Sequence, residues 1–245
     1  MAIEQSIAEL VQASNKLTGV VDGKVKEIDN KVLESKTKVD DFIGSARGEL
    51  SHVLLSRNQI MEPTTNGDGI KGFSTIGLDS FEVIKEATIH ASSTSDVDHT
   101  GNGYAAEFRK NVHGGYVNRA FHILRLKWTR GTASHPARID NNWNNGYQQG
   151  ALTSGCYLKI LSGDISGDMT SIHEFSNDWH FYGMRQGVNS LNEAFHGGHS
   201  KLALSSAPGG SGEMLICLFG TVSGVVNYEK KTWGLYPEFA RISDV

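Results

Sequence analysis

From Ile3 to Phe42, apolar and small residues recur at alternating steps of three and four. Ile3, Ile7, Leu10, Ser14 and Leu17 form one run; Val21, Val25, Ile28, Val32, Ser35, Val39, Phe42 and Ala46 form the next. So thin a stripe is the seam of a coiled coil, whereas a helix lying on a globular core carries a wider apolar face. Glu4, Glu9, Lys16, Lys24, Lys26, Glu27, Lys31, Glu34, Lys36 and Lys38 lie between the seams and keep the remaining surface wet. A lone helix of this kind has little to bury its stripe against, so the segment asks for copies of itself. The expectation is an α-helical coiled-coil stalk over residues 1–56 carrying a head over residues 57–245.

The seam has one flaw. Leu17, Val21 and Val25 are spaced four and four where a strict heptad wants a three, a shift equal to a stutter. Gly19 and Gly23 fall at the same place, and each weakens a helix interior by about 1 kcal/mol relative to Ala. Two readings stand: two helical pieces joined at a break near residues 18–23, or one helix locally underwound there. The second run extends toward Leu50 and Leu55, which makes a stalk on the order of 70 Å at about 1.5 Å per residue.

Composition bounds the remainder. A chain of 245 residues allows one or two domains, and the head is long enough to bury a core. With 20% charged residues and a net charge of −4, the chain is not built to hold nucleic acid electrostatically. No apolar stretch has the length of a membrane span and the start lacks the pattern of a signal peptide, so synthesis in a cytoplasm without membrane insertion is expected. Cys156 and Cys217, each inside an apolar run, read as buried free thiols, and no zinc spacing occurs.

After residue 66 glycine becomes frequent and period two replaces the heptads, the signature of strands between turns. In Arg119 to Thr129, residues Ala120, His122, Leu124, Leu126 and Trp128 fall on one face, opposite Phe121, Ile123, Arg125, Lys127 and Thr129. Further strands are expected at Phe81 to Ala91, Cys156 to Leu161, Trp179 to Met184, Lys201 to Leu204, Glu213 to Phe219 and Val225 to Tyr228. Turn chemistry stands at 65–69, 162–168 and 208–212. No helical period of useful length follows the stalk. The head is therefore expected to be mainly β, a sandwich or jelly roll.

The opening Ala2-Ile3-Glu4-Gln5-Ser6-Ile7-Ala8-Glu9-Leu10-Val11-Gln12-Ala13-Ser14-Asn15-Lys16-Leu17-Thr18, followed by Val25-Lys26-Glu27-Ile28-Asp29, resembles the N-terminal segment of tail-fibre proteins of tailed bacteriophages. The resemblance implies a virion component made in the host cytoplasm. It implies a parallel homotrimer whose N-terminus attaches to other phage tail proteins and whose C-terminal β head meets the bacterial surface. The heptads alone mix Ile, Val, Leu and Ser and leave the strand number open. The head's role as receptor-binding tip follows from its position in such a fibre. A structural connector or tail-tip module that binds other virion proteins is the alternative.

Enzymatic signatures are missing from the sequence: there is no nucleophile elbow, no phosphate-binding glycine loop and no paired-histidine zinc motif, so a non-enzymatic protein without a cofactor is expected. Calcium has one candidate loop, from Asp96 to Glu107, with Asp96, Asp98, Thr100, the Asn102 carbonyl and Glu107 at ligand spacing. Thr100 replaces the usual Asp or Asn, Gly103 stands where an apolar anchor belongs, and the upstream segment reads as strand. A polar surface loop accounts for the same letters, and a calcium-stabilised adhesin unrelated to phage is a third class. His196-Gly-Gly-His199 is a weaker metal candidate that needs ligands from elsewhere.

For recognition, Asp140 to Gln149 sets two aromatics among amides with almost no charge. Trp143 and Tyr147 offer faces for the apolar side of a sugar ring, while Asn141, Asn142, Asn144, Asn145 and Gln148 offer hydrogen bonds to its hydroxyls. The expected ligand is a bacterial surface glycan or outer-membrane receptor. A solvated connection with Trp143 tucked into the core is the competing account. The cluster Phe175, Trp179, His180, Phe181 and Tyr182 reads as core or trimer interface, and Trp233 with Tyr236 as a closure of the core.

Overall fold

No proline precedes Pro63, and the three-four periodicity is met by one helix, α1, Ala2–Glu49. In the computed structural model of the chain, the described residues are 2–49, 53–91, 102–112, 117–132, 137–142, 148–149, 152–163, 165, 178–186, 194–195, 199–204, 207–227 and 232–238. Two units divide at residues 49 and 50. Helix α1 runs without interruption through 18–23, so of the two readings the single helix holds. A Cβ added at Gly19 or Gly23 meets nothing within 4 Å. Thr18 and Thr37 return their hydroxyls to the carbonyls of Ser14 and Leu33, at 3.0 and 3.1 Å, which keeps both residues compatible with the helix interior.

The boundary expected at residue 56 is corrected. Residues 53–56 belong to the β body, because they occupy backbone positions that the end of a strand leaves open. Leu55 N donates to Thr221 O at 2.8 Å, Ser223 N to Val53 O at 2.9 Å and Leu54 N to Pro237 O at 2.8 Å. Leu54 and Ser56 are buried there.

The body contains β1 Phe73–Ile76, β2 Leu78–Ile89, α2 Tyr104–Asn111, β3 Phe121–Arg130, β4 Arg138–Asn142, β5 Gln148–Gln149, β6 Leu152–Ser162, β7 His180–Gln186, β8 Ala194–Phe195, β9 His199–Ala203 and β10 Ser211–Ser223. They form a five-stranded sheet in the order β2-β3-β10-β6-β7, a three-stranded sheet β1-β4-β9 and a small pair β5-β8. Each of these ladders is antiparallel. Six of the seven expected strand positions lie in strands; Val225 to Asn227 form none, and Tyr228 lies outside the described residues. The helix α2 was not expected. Pro208 and Gly209 turn the chain into β10, with Gly209 at φ 74° in the conformation that glycine adopts at no steric cost.

One core draws on both larger sheets: Val83, Leu124, Leu126, Trp128, Leu158, Met214 and Ile216 from the five strands, Ile139 and Leu202 from the three. The body is thus a β sandwich. The opposite face of the five-stranded sheet is buried as well. Phe121, Ile123, Tyr157, Phe181, Leu215 and Cys217 pack there with Phe108 of α2, Leu54, Trp179 and Trp233. Phe108 is the centre of that cluster, edge-on to Phe121, Tyr157 and Trp179 at 5.1 to 5.8 Å between centroids. The prediction that β3 has one dry and one partly wet face holds only beyond Ile123, because α2, Leu54, Trp179 and Trp233 cover the rest.

Candidate functional site

Helix α1 leaves its seam in water. Ile3, Ile7, Leu10, Leu17, Val21, Val25, Ile28, Val32 and Val39 are between 49% and 76% exposed, and every described side chain from 3 to 41 is exposed. Phe42 is helical, but its side chain lies outside the described residues. The polar face is organised around Glu27, which accepts from Lys24 at 2.6 Å and from Lys31 at 2.9 Å. Those two ammonium groups hold its carboxyl below the usual range. In the second run, Val25, Val32 and Val39 take one core position of the heptad and Val21 and Ile28 the other. Lys24, Lys31 and Lys38 flank the first position, and Asp22, Asp29 and Lys36 flank the second.

The amide-aromatic segment is divided by the fold. Trp143, Asn144, Asn145 and Tyr147 lie outside the described residues. Asn141 does not offer its side chain to a ligand, which corrects the expectation for it. It is 0% exposed, and its Nδ2 donates to the Phe219 carbonyl at 3.0 Å. That carbonyl is available because β10 bulges: between Cys217 and Gly220 it spends two residues where β6 spends one. Asp140 is also buried, held by Arg138 at 3.0 Å. Asn142 pairs with His199 in the β4-β9 ladder, and Gln148 with Phe195 in the β5-β8 ladder. Strands β4 and β5, which precede and follow residues 143–147 in the sequence, thus pair with β9 and β8, which follow and precede residues 196–198; His196 lies outside the described residues.

The calcium candidates are divided too. Asp96, Asp98 and Thr100 lie outside the described residues, and Asn102 is exposed. Glu107 sits in α2 with its carboxylate on the ammonium of Lys159 from β6. Among the described residues no group of three or more His, Cys, Asp or Glu side chains is placed to hold a metal.

Lys159 is one end of an ionic cluster that the sequence reading missed. Arg125 of β3 bonds Glu86 of β2 at 2.9 Å and Glu213 of β10 at 3.0 Å. The Arg125 guanidinium lies 5.6 Å from the centre of the Tyr104 ring, and the Lys159 ammonium 5.9 Å. Burial works against the Arg125 charge, but Glu86, Tyr104 and Glu213 outweigh it and its pKa is raised. The cluster fastens α2 to the sheet. Its one signal in the sequence was Arg125 and Lys127 sharing a face with Phe121 and Ile123, an alternation that calls for carboxylates on the neighbouring strands.

Cys156 and Cys217 are free and buried, and burial pushes both thiols up, away from the thiolate that nucleophilic chemistry needs. Trp179, Phe181 and Tyr182 are core residues, and Trp233 closes the outer cluster with Tyr236 at 5.1 Å. Phe175 lies outside the described residues. Among the described residues no helix is long and apolar enough to cross a membrane. Comparison with protein-family models and with curated proteins finds no match for the chain.

Proposed function

We propose that the chain is a tail-fibre protein of a tailed bacteriophage: a non-enzymatic, parallel homotrimer whose α1 helices form the stalk and whose β sandwich is the head that attaches to the host surface. The carrying observation is the apolar seam of α1, left in water along its whole described length by its own chain. Burying nine Ile, Leu and Val side chains is worth about 1.5–3 kcal/mol each when complete, before the cost of association. Copies of the same helix are the covering that matches the seam's period. Charge supports a parallel arrangement. Antiparallel packing sets Lys24, Lys31 and Lys38 against their own counterparts; parallel packing sets Lys24 beside Asp29 of the neighbouring copy, with one like pair, Lys31 and Lys36. The resemblance of the opening residues to phage tail fibres supports the rest.

The ligand in this reading is a bacterial surface glycan or an outer-membrane receptor, met by the region of the β4-β9 and β5-β8 ladders that brackets Trp143 and Tyr147. The N-terminal end meets other tail proteins. Light scattering tests the assembly: the reading expects three times the chain mass of 26.7 kDa, and a monomer removes its main support. Fluorescently labelled intact protein tests the role. Labelling of bacterial cells that is lost on stripping surface polysaccharide supports a glycan-binding head. Absence of labelling on every host, together with binding to purified tails, assigns the chain to a connector instead.

A further inference from the structure

We infer that α1 alone holds the assembly together and that each β body is a separate, monomeric head. This rests on the oligomeric reading of α1 just given. Apolar exposure is divided between the two units with little overlap. Twelve large hydrophobic side chains of α1 are exposed, from Ile3 to Val39. Among the described residues of the body, no Val, Ile, Leu, Met, Phe, Tyr or Trp is exposed. Stable interfaces between copies need an apolar, desolvated centre, and permanent ones generally bury more than about 2,000 Å² in total.

The body covers itself instead. One face of the five-stranded sheet lies against the three-stranded sheet. The other is closed by α2, by residues 53–60 and by the C-terminal segment 232–238, which are tied to each other and to the sheet. Gln59 donates to the Gly234 carbonyl at 2.9 Å and accepts from Tyr236 N at 3.0 Å. Tyr157 donates its hydroxyl to the Trp233 carbonyl at 3.3 Å. At the β2 edge of that sheet, Asp79, Ser80, Glu82 and Lys85 are exposed, and charges along an edge strand oppose pairing with a second copy. Both faces of the five-stranded sheet are therefore covered by the chain's own segments. Heads held only through their stalks bind independently, and their joint grip on a repetitive surface comes from linkage.

The test uses the full chain with Ile28→Asp and Val32→Asp together, two charges in the middle of the seam. All four tryptophans, Trp128, Trp143, Trp179 and Trp233, lie in the body, so their emission reports the body alone. The expected result is a fall from a multimer to 26.7 kDa, with tryptophan emission and urea midpoint unchanged. Apparent affinity for labelled cells should fall about 10²–10⁴-fold. A variant that stays multimeric, or a monomer with altered emission and a lowered midpoint, overturns the inference. If the unsubstituted protein is itself a monomer, the oligomeric reading fails first, and the two failures are told apart by that control.

Discussion

The indole Nε1–H of Trp233 donates to the carbonyl of Leu218 at 3.0 Å, and Leu218 is a buried β10 residue held at φ 53°. The bulge that puts Leu218 in the left-handed region removes its carbonyl from the β10-β6 ladder, and an indole from the C-terminal segment replaces the lost partner. Trp233→Phe keeps the ring contacts with Phe181 and Tyr236 but leaves that carbonyl unsatisfied. The expected loss is about 1–3 kcal/mol, read as a lower urea midpoint of the full chain at unchanged slope. A midpoint equal to that of the unsubstituted protein would show that water or another group serves the carbonyl as well.

Asn141 does the same service on the opposite face, for Phe219. Asn141→Ala should therefore destabilise the body by about 1–3 kcal/mol, while the folded variant binds cells with unchanged affinity. Loss of cell binding at full stability would return Asn141 to the recognition surface and refute its structural role.

The bulge also marks where the sequence stopped being readable. Helix α1 was legible because its signal is local: a period of three and four without proline. The longer strands were legible by alternation around Leu124, Leu126 and Trp128. Strand β4 was not, since Arg138-Ile-Asp-Asn-Asn has the composition of a solvated loop. Asp140 and Asn141 are buried there because Arg138 neutralises Asp140 and because Phe219, 78 residues away, presents a carbonyl to Asn141. Helix α2 escaped for a related reason. Two turns carry too few repeats to show a period, and what holds them is Phe108 under three aromatic rings and Glu107 on Lys159, all distant in the chain. Of the candidate sites, the seam of α1 rests on a local period along the chain; the pairing of β4 and β5 with β9 and β8 rests on strand register, which no local pattern carries.

His122 carries a pH dependence of known sign. Its ring is half-buried on β3 with Nδ1 3.1 Å from the Thr88 hydroxyl. Burial, then Lys85 and His90, depress its pKa below the ordinary 6.5, and Glu62 opposes them only in part. Below 6.5 the unfolded chain binds the proton more readily than the folded one, so this contribution is complete above that pH and is lost as pH falls through the depressed value. Between pH 8 and pH 5.5 the urea midpoint should drop more for the unsubstituted chain than for His122→Gln. Equal drops would assign the acid sensitivity to other groups.

Gly19 and Gly23 lie one helical turn apart on either side of Val21, where the two seam runs change phase. Gly19 lies two residues after Leu17 and two before Val21, and Gly23 lies two after Val21 and two before Val25, so both face away from the seam. The space beside each is open, and both are helical. Neither glycine is needed for packing within α1, so Gly19→Ala and Gly23→Ala should each stabilise the helix by about 1 kcal/mol. The double variant should show a higher midpoint for the loss of the 222 nm circular dichroism signal at unchanged molecular mass. If the assembled stalk instead unwinds at the phase shift, the glycines supply backbone freedom there that alanine lacks. The double variant would then melt at or below the temperature of the unsubstituted protein, and the continuous helix would be a property of the single chain alone.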